Sequence, residues 1–473
     1  MILNALFLCG LVAHDPVAVL PQTPSPVRSF LERGLGDAQA YTLLRELCTT
    51  APHRLAGSAG LDRALAWGEA ALQRAGADKV YRVPTMVPHW DRGTTARLEL
   101  ATATGTEAPP VTWPILALGG SIATPKEGIE APVVRVVGRK QLAELGARAQ
   151  GAIVFYDEPF DPSKLSVGEA YGGAVWQRGS GAIEASKLGA VAVVVRSVTA
   201  ALDDHPHTGA MRYEEGVPKI PAAAISTKGA ADLARRLEQG VVRVRLQLDC
   251  QTLPDKPSAN IVGELTGTDP SAGVVLLSGH IDAWDIGQGA HDDAAGCVHA
   301  IEALRLLKKD GWRGKRTLRI VLYTNEENGV RGGLAQRDAT PQGEVRLALE
   351  SDSGGFAPVG LSVDAAGPLK EAFEVFGREL QPIFAGTVVQ GGGGVDVGPL
   401  KERGAVVGLL LISGARYFDH HHCALDVADN VHPRELQLGA VAYAAWARFA
   451  CDLDEAVYVA EARLKAGSAA KER

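Results

Sequence analysis

Residues 278–298 of this chain read SGHIDAWDIGQGAHDDAAGCV and follow directly on an apolar run, GVVLL. Two histidines and four aspartates are crowded here among glycines and small apolar residues. Ionised carboxylates are rarely buried unless they are paired or bound to a metal. The apolar run predicts a core strand, so the sequence places a concentrated set of acids and histidines at the end of that strand.

Outward from this stretch, apolar strands alternate with helices. The predicted strands are GVVLLSGH (273–280), TLRIVLYT (317–324), VRLALESD (345–352) and AVVGLLLIS (405–413), and the predicted helices are DDAAGCVHAIEALRLLKK (292–309) and RELQLGAVAYAAWARFACDL (434–453). Near-continuous apolar strands that alternate with helices are typical of a sheet covered on both faces. The pattern predicts an α/β fold with a doubly covered, mostly parallel or mixed sheet.

The sequence before residue 258 follows a different pattern of apolar and polar residues. Helical spacing dominates up to about residue 80, a strand is indicated at ARLELAT (96–102), and short β-rich runs joined by Gly- and Pro-bearing loops follow from about residue 115. This change predicts a β-rich unit inserted into the α/β domain. The expected divisions are a signal segment (1–20), the first part of the α/β domain (21–115), the insertion (116–250), the second part (251–458) and a flexible tail (459–473).

Length and composition exclude several classes of protein. At 473 residues the chain is too long for one typical core, and its net charge of −7, without a basic stripe, argues against nucleic-acid binding. The six scattered cysteines form no CxxC pair, which argues against a structural zinc ribbon and a dense disulfide framework. No later stretch is typical of a transmembrane helix.

The first residues, MILNALFLCGLVAHDP, form an apolar segment of about a dozen residues, which is too short to span a bilayer. At an N-terminus this pattern favours a secretory signal, with the mature chain starting after Ala13. The alternative of a lipid anchor on Cys9 is disfavoured, because Leu6-Phe7-Leu8 lacks the small residues expected before a lipidated cysteine. We therefore expect a secreted or periplasmic protein.

Polar side chains stand at the carboxyl ends of four predicted strands, where α/β folds form their sites. They are His280 and Asp282, then Asn325, Glu326 and Glu327, then Asp352, and finally His420, His421, His422 and Asp426. Imidazole and carboxylate together are the ligand set of zinc and related divalent metals. One metal needs about three protein ligands, so this larger set favours two metals that share a bridging carboxylate.

Five of these stretches together resemble the co-catalytic zinc exopeptidases of peptidase family M28, and within it the carboxypeptidase Q branch. They are GHIDAWDIGQGAHDDAAG, YTNEENGVRGG, LESDSGG, GGGVDVGPL and YFDHHHCALD, in that order. The insertion, with KLGAVAVVVRS and HTGAMRYEEGVPKIPAAAIS, is similar to the protease-associated domain of that branch, and HRLAGSAGLDRALAWGEAAL near the N-terminus also fits. The resemblance implies a zinc exopeptidase-like sheet with an inserted protease-associated domain.

The resemblance also implies roles for individual residues. Asp292 would bridge two zinc ions, of which one is also bound by His280 and Asp352 and the other by Glu327 and His422. His422 is chosen from three successive histidines because it stands four residues before Asp426, as the family's ligand does. Glu326 would be the general base, Asp282 would orient the His280 imidazole, and His421 would steady the oxyanion or simply pack.

Neighbouring residues have simpler interpretations. Asp293 begins a predicted helix, where an acid caps the N-terminus, Asp285 is expected in a loop, and His291 is expected to pack. Two positions depart from the family pattern: Asp426 is followed by Val427 instead of Thr, and Val395 stands before Asp396 where a hydroxyl residue is common. These departures concern substrate contacts more than metal binding.

The resulting expectation is hydrolysis of dipeptides or short peptides by metal-activated water, with two Zn²⁺ per chain or other divalent cations in their place. The resemblance to the carboxypeptidase Q branch favours dipeptides with both termini free as substrates. The alternatives are an M28-type aminopeptidase, a single-zinc acyltransferase like the glutaminyl cyclases, and an inactive binding homologue. The insertion is expected to shape access to the site or to support a homodimer.

Overall fold

The computed structural model describes residues 25–101 and 111–471, so the expected signal segment lies outside the described residues. The strands are β1 Lys79–Asp91, β2 Ala96–Leu100, β3 Thr112–Trp113, β4 Ile115–Ala117, β5 Ile129–Val136, β6 Ile153–Tyr156, β7 Ala192–Arg196, β8 Ala222–Ile225, β9 Arg243–Leu248, β10 Gln251–Leu265, β11 Val274–His280, β12 Thr317–Tyr323, β13 Val345–Glu350, β14 Pro358–Val363, β15 Thr387–Gln390 and β16 Val406–Ile412. The helices are α1 Pro26–Gly36, α2 Ala40–Thr50, α3 Ala59–Ala75, α4 Gly138–Leu145, α5 Val167–Ala174, α6 Trp176–Gly179, α7 Gly181–Lys187, α8 Thr227–Gln239, α9 Ala295–Lys309, α10 Arg331–Ala339, α11 Pro368–Gly377, α12 Tyr417–His420, α13 Pro433–Asp452 and α14 Glu455–Lys471.

The main sheet has eight strands in the order β1-β10-β12-β11-β13-β16-β14-β15. Its four central strands, β12, β11, β13 and β16, run parallel. On one side β10 pairs antiparallel with β12 and with β1, and on the other β14 pairs antiparallel with β16 and parallel with β15. Every residue of β11 and β12 is buried, because α9 and α13 pack on one face, while Val397, Leu400 and the α10 residue Ala335 belong to the apolar cluster on the other. The prediction of an α/β fold with a doubly covered mixed sheet is confirmed.

A second eight-stranded sheet has the order β3-β2-β9-β5-β6-β7-β8-β4, with residues of α8 packed on one face and residues of α4 and α7 on the other. Its strands begin at Ala96, earlier than the expected start of the insertion at residue 116, because Leu98 of β2 pairs with Leu246 of β9. We call residues 92–250 the second unit and the rest of the described chain the main unit. The second unit is mixed α/β, and its identity as a protease-associated domain stays a prediction.

A long antiparallel ribbon connects the two units. Strands β1 and β10 pair from Lys79–Glu264 to Asp91–Gln251, with one register shift between Val87 and His89. The chain therefore leaves the main sheet after Asp91 and returns to it at Gln251, in adjacent positions.

The C-terminal segment differs from the flexible tail expected for residues 459–473. Helix α14 extends to Lys471, and the buried Glu461 carboxylate accepts hydrogen bonds from the N–H groups of Ala366 and Gly367, at 3.1 and 3.2 Å. Tyr458 lies against the Arg316 guanidinium and donates a hydrogen bond to the Ala450 carbonyl. These contacts hold Tyr458 and Glu461 on the main unit, and the flexibility of the rest of the tail stays a prediction.

The five cysteines among the described residues are all buried free thiols. Within residues 25–101 and 111–471, no helix has the length and apolar character needed to cross a membrane.

Candidate metal centre

The predicted ligands converge because three parallel strands end at one edge of the main sheet. Strand β11 ends on His280, β12 ends three residues before Glu326, and β13 ends two residues before Asp352. Asp292 precedes helix α9, and His422 follows the short helix α12. The fold brings together side chains that are up to 142 positions apart, from His280 to His422.

On one side of the site, the His280 imidazole faces two carboxylates. Its Nε2 lies 3.2 Å from Asp292 Oδ1 and 3.5 Å from Asp352 Oδ1. Glu326 Oε2 lies slightly farther away, at 4.0 Å from the same nitrogen. This arrangement matches the first predicted triad, with Glu326 next to it and not within it.

On the other side, His422 Nε2 lies 3.2 Å from Asp292 Oδ2 and 3.1 Å from Glu327 Oε2. The two oxygens of Asp292 thus face two different histidines. A carboxylate in this position is suited to bridge two metal ions. The His421 ring stacks on His422, and its Nε2 lies 3.7 Å from Asp292 Oδ2.

Asp282 makes contacts that differ from its predicted role. Its carboxylate accepts hydrogen bonds from the backbone N–H groups of Glu326, at 3.1 Å, and Glu327, at 3.3 Å. Its Oδ1 is 3.8 Å from His280 Nδ1, whereas the Asp282 carbonyl oxygen is only 3.1 Å from that nitrogen. The side chain of Asp282 therefore holds the glutamate pair, and its backbone carbonyl faces the imidazole.

Two further aspartates shape the loop around the site. Asp426 accepts the N–H groups of His291, at 2.6 Å, and Asp292, at 3.1 Å. Asp293 accepts the N–H groups of His280 and Gly296, the second of which lies in the first turn of α9. This agrees with the capping interpretation of Asp293.

The outer loop residues also follow simple interpretations. His291 stacks on Phe356 and accepts the Gly355 N–H, as expected for a packing residue. Asp285 pairs with Arg92, so it is an ion-paired loop residue.

The electrostatics of the site favour bound cations. Within the described residues, no Lys or Arg forms an ion pair with the six carboxylates of this cluster, which are Asp282, Asp292, Asp293, Glu326, Glu327 and Asp352. Burial raises the pKa of Glu326 and Glu327 well above the usual range, and neighbouring carboxylates raise it further. Buried carboxylates without counter-charges are costly, and divalent cations would remove that cost.

The donor atoms fit zinc. His280 Nε2 and Asp292 Oδ2 are buried without a hydrogen-bond partner among the described residues. Three sets of potential ligands have their donor atoms within 4.8 Å of one another: His280, Asp292 and Glu327; Asp292, His421 and His422; and His280, Asp293 and Asp352. Asp293 already accepts two backbone hydrogen bonds, which makes Asp292 the better ligand beside His280. Imidazole and carboxylate donors of this kind suit zinc.

The second unit contributes groups that the sequence did not single out. Thr208 N–H donates to the His422 carbonyl at 3.0 Å, and the Thr208 carbonyl lies 3.3 Å from His422 Nδ1. Arg178 Nη1 lies 3.5 Å from the same ring nitrogen. In the main unit, Trp284 donates its backbone N–H to Glu327 Oε1 at 3.1 Å. A contact made by a backbone group leaves no signal in the sequence, so the sequence does not indicate the contacts of Thr208 and Trp284 with the proposed ligands.

A mixed α/β sheet with a histidine–carboxylate cluster at its strand ends, and a partly exposed glutamate beside that cluster, defines a metal-dependent hydrolase. Comparison with known proteins specifies the class further. Peptidase family M28 matches residues 260–447. The carboxypeptidase Q proteins of Bos taurus and Homo sapiens are each 36% identical over 425 residues, which cover 89% of this chain and 87% of theirs.

Solved structures agree with this assignment. An M28 peptidase precursor from Shewanella amazonensis has a TM-score of 0.85 at 31% identity, over 90% of this chain and 96% of its own. A zinc aminopeptidase from Bacillus subtilis shares the fold, with a TM-score of 0.63 at 19% identity over 86% of this chain and 94% of its own. The chain belongs to peptidase family M28 and is a metallopeptidase of the zinc exopeptidase type.

Proposed function

We propose that this protein is a two-zinc exopeptidase that hydrolyses dipeptides and other short peptides, like carboxypeptidase Q. The observation that carries the proposal is the position of Asp292, with one carboxylate oxygen toward His280 and the other toward His422. Asp352 and Glu327 complete the two halves of the site. When bound, the zinc ions would lower the pKa of a water molecule and polarise the scissile carbonyl.

Glu326 is the general base in this proposal. Its side chain keeps 16% of its surface exposed, and Asp282 fixes its backbone N–H. Glu326 takes a proton from the attacking water at its carboxylate and passes it to the leaving amine. In this proposal His421, whose ring stacks on His422, steadies the negative charge that forms on the carbonyl oxygen.

Arg178 is the residue that we propose to bind the free carboxylate of the substrate. Its guanidinium is buried, forms no ion pair within the described residues, and leaves Nε without a hydrogen-bond partner there. It donates to the Tyr171 hydroxyl at 2.6 Å and lies beside His422. A guanidinium suits carboxylate recognition because it presents several N–H donors in one plane.

One dipeptide in four forms tests the type of exopeptidase: free, N-acetylated, C-amidated and doubly blocked. We expect cleavage of the free form alone. Retained cleavage of the C-amidated form would show an aminopeptidase, and retained cleavage of the N-acetylated form would show a carboxypeptidase without a need for the amine. No cleavage of any peptide by zinc-loaded protein would support an inactive homologue.

Elemental analysis distinguishes the remaining alternative. We expect two zinc ions per chain, whereas a cyclase-like acyltransferase would hold one. The protease-associated character of the second unit, a homodimer and export through the segment 1–20 are further parts of this proposal, supported by the sequence pattern. N-terminal sequencing of the mature protein checks export, and a mature chain that begins at Met1 would contradict it.

A further inference from the structure

The two halves of the metal centre are oriented by different parts of the molecule. In the half that contains His280, the supporting groups belong to the main unit: Asp293 accepts the His280 N–H, and the Asp282 carbonyl faces its Nδ1. In the half that contains Glu327 and His422, the Asp282 carboxylate of the main unit accepts the Glu327 N–H, and two further supports lead to the second unit.

The first of these supports is a backbone clamp at Thr208. Thr208 is fully buried, and its N–H and carbonyl contact the carbonyl and the Nδ1 of His422, at 3.0 and 3.3 Å. A carbonyl beside Nδ1 favours the tautomer in which Nε2 carries the free lone pair. The residues preceding Thr208 and His422 are also in contact, because His207 Nδ1 lies 2.7 Å from the His421 carbonyl oxygen.

The second support runs through Trp284. Its backbone N–H holds Glu327 Oε1, which leaves Oε2 facing His422. Although Trp284 belongs to the metal-site loop, its indole is buried in the apolar core of the second unit. Gly119 makes room for it, since a Cβ atom at Gly119 would lie 1.9 Å from Trp284 Cη2. Arg92 of the second unit lies over the indole and pairs with Asp285, the next residue.

We propose that the second unit sets the zinc affinity of the Glu327–His422 half through Thr208 and Trp284. Disturbing these contacts removes the ion of that half and leaves the ion of the His280–Asp352 half in place. Trp284 and Thr208 are therefore positioning residues that act through the ligands they hold. The inference rests on the proposed two-zinc site.

Two variants disturb Trp284 from opposite directions. Trp284→Leu removes the indole, and Gly119→Ala adds a methyl group that collides with the indole. Neither substitution changes a proposed ligand. The matched control is Trp113→Leu, which removes another buried tryptophan from the same core but contacts no ligand. Far-UV circular dichroism shows that each variant is folded before it is compared.

The measurement is the zinc content of each protein after dialysis against a chelator of intermediate strength. We expect the wild type and Trp113→Leu to keep two ions, and Trp284→Leu and Gly119→Ala to keep one, with the affinity of the lost ion reduced roughly 10- to 100-fold. Cobalt titration of the metal-free proteins, followed by visible absorption, reports the same loss. If only one of Trp284→Leu and Gly119→Ala folds, the zinc content of that variant alone tests the inference.

A second substitution identifies the ion that is lost. In the Trp284→Leu background, adding His422→Ala should remove no further zinc, whereas adding His280→Ala should remove the remaining ion. Retention of two ions by the folded variants, loss of both ions together, or the same loss in Trp113→Leu would overturn the inference. A wild-type protein with fewer than two ions would instead refute the two-zinc proposal.

Discussion

The main unit and the second unit contribute to the metal centre in different ways. The main unit supplies all five proposed ligands and the proposed base as side chains, some directly after its buried strands and two, Asp292 and His422, beside the helices α9 and α12. The second unit supplies the backbone clamp at Thr208, the apolar core in which the Trp284 indole is buried, and the guanidinium of Arg178. In the proposed mechanism, the main unit therefore supplies the chemistry, and the two units share the orientation of the ligands and the recognition of the substrate.

The largest expected effects come from the main unit, where two substitutions separate metal binding from proton transfer. Glu326→Gln should keep two zinc ions and reduce turnover about 10²- to 10⁴-fold, because the amide cannot accept the proton. Asp292→Ala should lower the zinc content as well as the activity. Near wild-type turnover of Glu326→Gln, measured by steady-state kinetics, would contradict its role as the base. Two bound ions in Asp292→Ala, measured by elemental analysis, would contradict its role as the bridging ligand.

A smaller effect is expected for Arg178, in the second unit. Arg178→Met should raise KM for the free dipeptide roughly 10- to 100-fold with little change in zinc content, because one charged hydrogen-bonding group is lost. The same substitution at Arg416, an exposed residue near the histidine loop, serves as the control. An unchanged KM in Arg178→Met, measured by steady-state kinetics, would remove this residue from substrate binding.

The smallest effect concerns the contact between the units under acid conditions. Burial lowers the pKa of His207 from 6.5 to about 4, so below pH 6.5 the unfolded chain binds a proton that the folded chain does not. The free energy of unfolding therefore falls as the pH falls from 6.5 toward 4, by about 2 kcal/mol at pH 5 from this residue. His207→Gln should lose that part of the pH dependence.

The measurement is urea unfolding at pH 7.5 and pH 5, compared between variants so that other titrating groups cancel. His205→Gln, two positions away and half exposed, provides the control. Equal pH dependence in His207→Gln and the wild type would show that His207 is not held neutral at the interface.

The sequence predicted the main sheet, and indicated the candidate ligands at its edge, for a physical reason. Buried parallel strands are almost wholly apolar, so an acid or histidine directly after one, such as His280 or Asp352, stands out from its surroundings. The stretch around Asp292 shows the same contrast between an apolar strand and the acids after it. It also contains glycines and leads into a predicted helix. The roles of these residues stay predictions that the zinc and kinetic experiments address.

The sequence could not predict the contributions of the second unit. Thr208 acts through its backbone, and the fit of Trp284 against Gly119 depends on two segments that meet only in the folded chain. The strand at Ala96 carries the same pattern whichever sheet it joins, so the sequence does not indicate that it pairs with β9 of the second sheet. The small and polar residues of α14 gave no sign of the buried Glu461 contact.

The ribbon of β1 and β10 has a consequence for the order of folding. Asp91 and Gln251 are neighbours across the ribbon although 160 positions separate them in the chain. Closing a flexible loop of that length costs about 4 to 5 kcal/mol in chain entropy. Collapse of the second unit brings its two ends together first and removes most of that cost. We therefore expect the inserted segment to fold early, and the edge of the catalytic sheet to close after it.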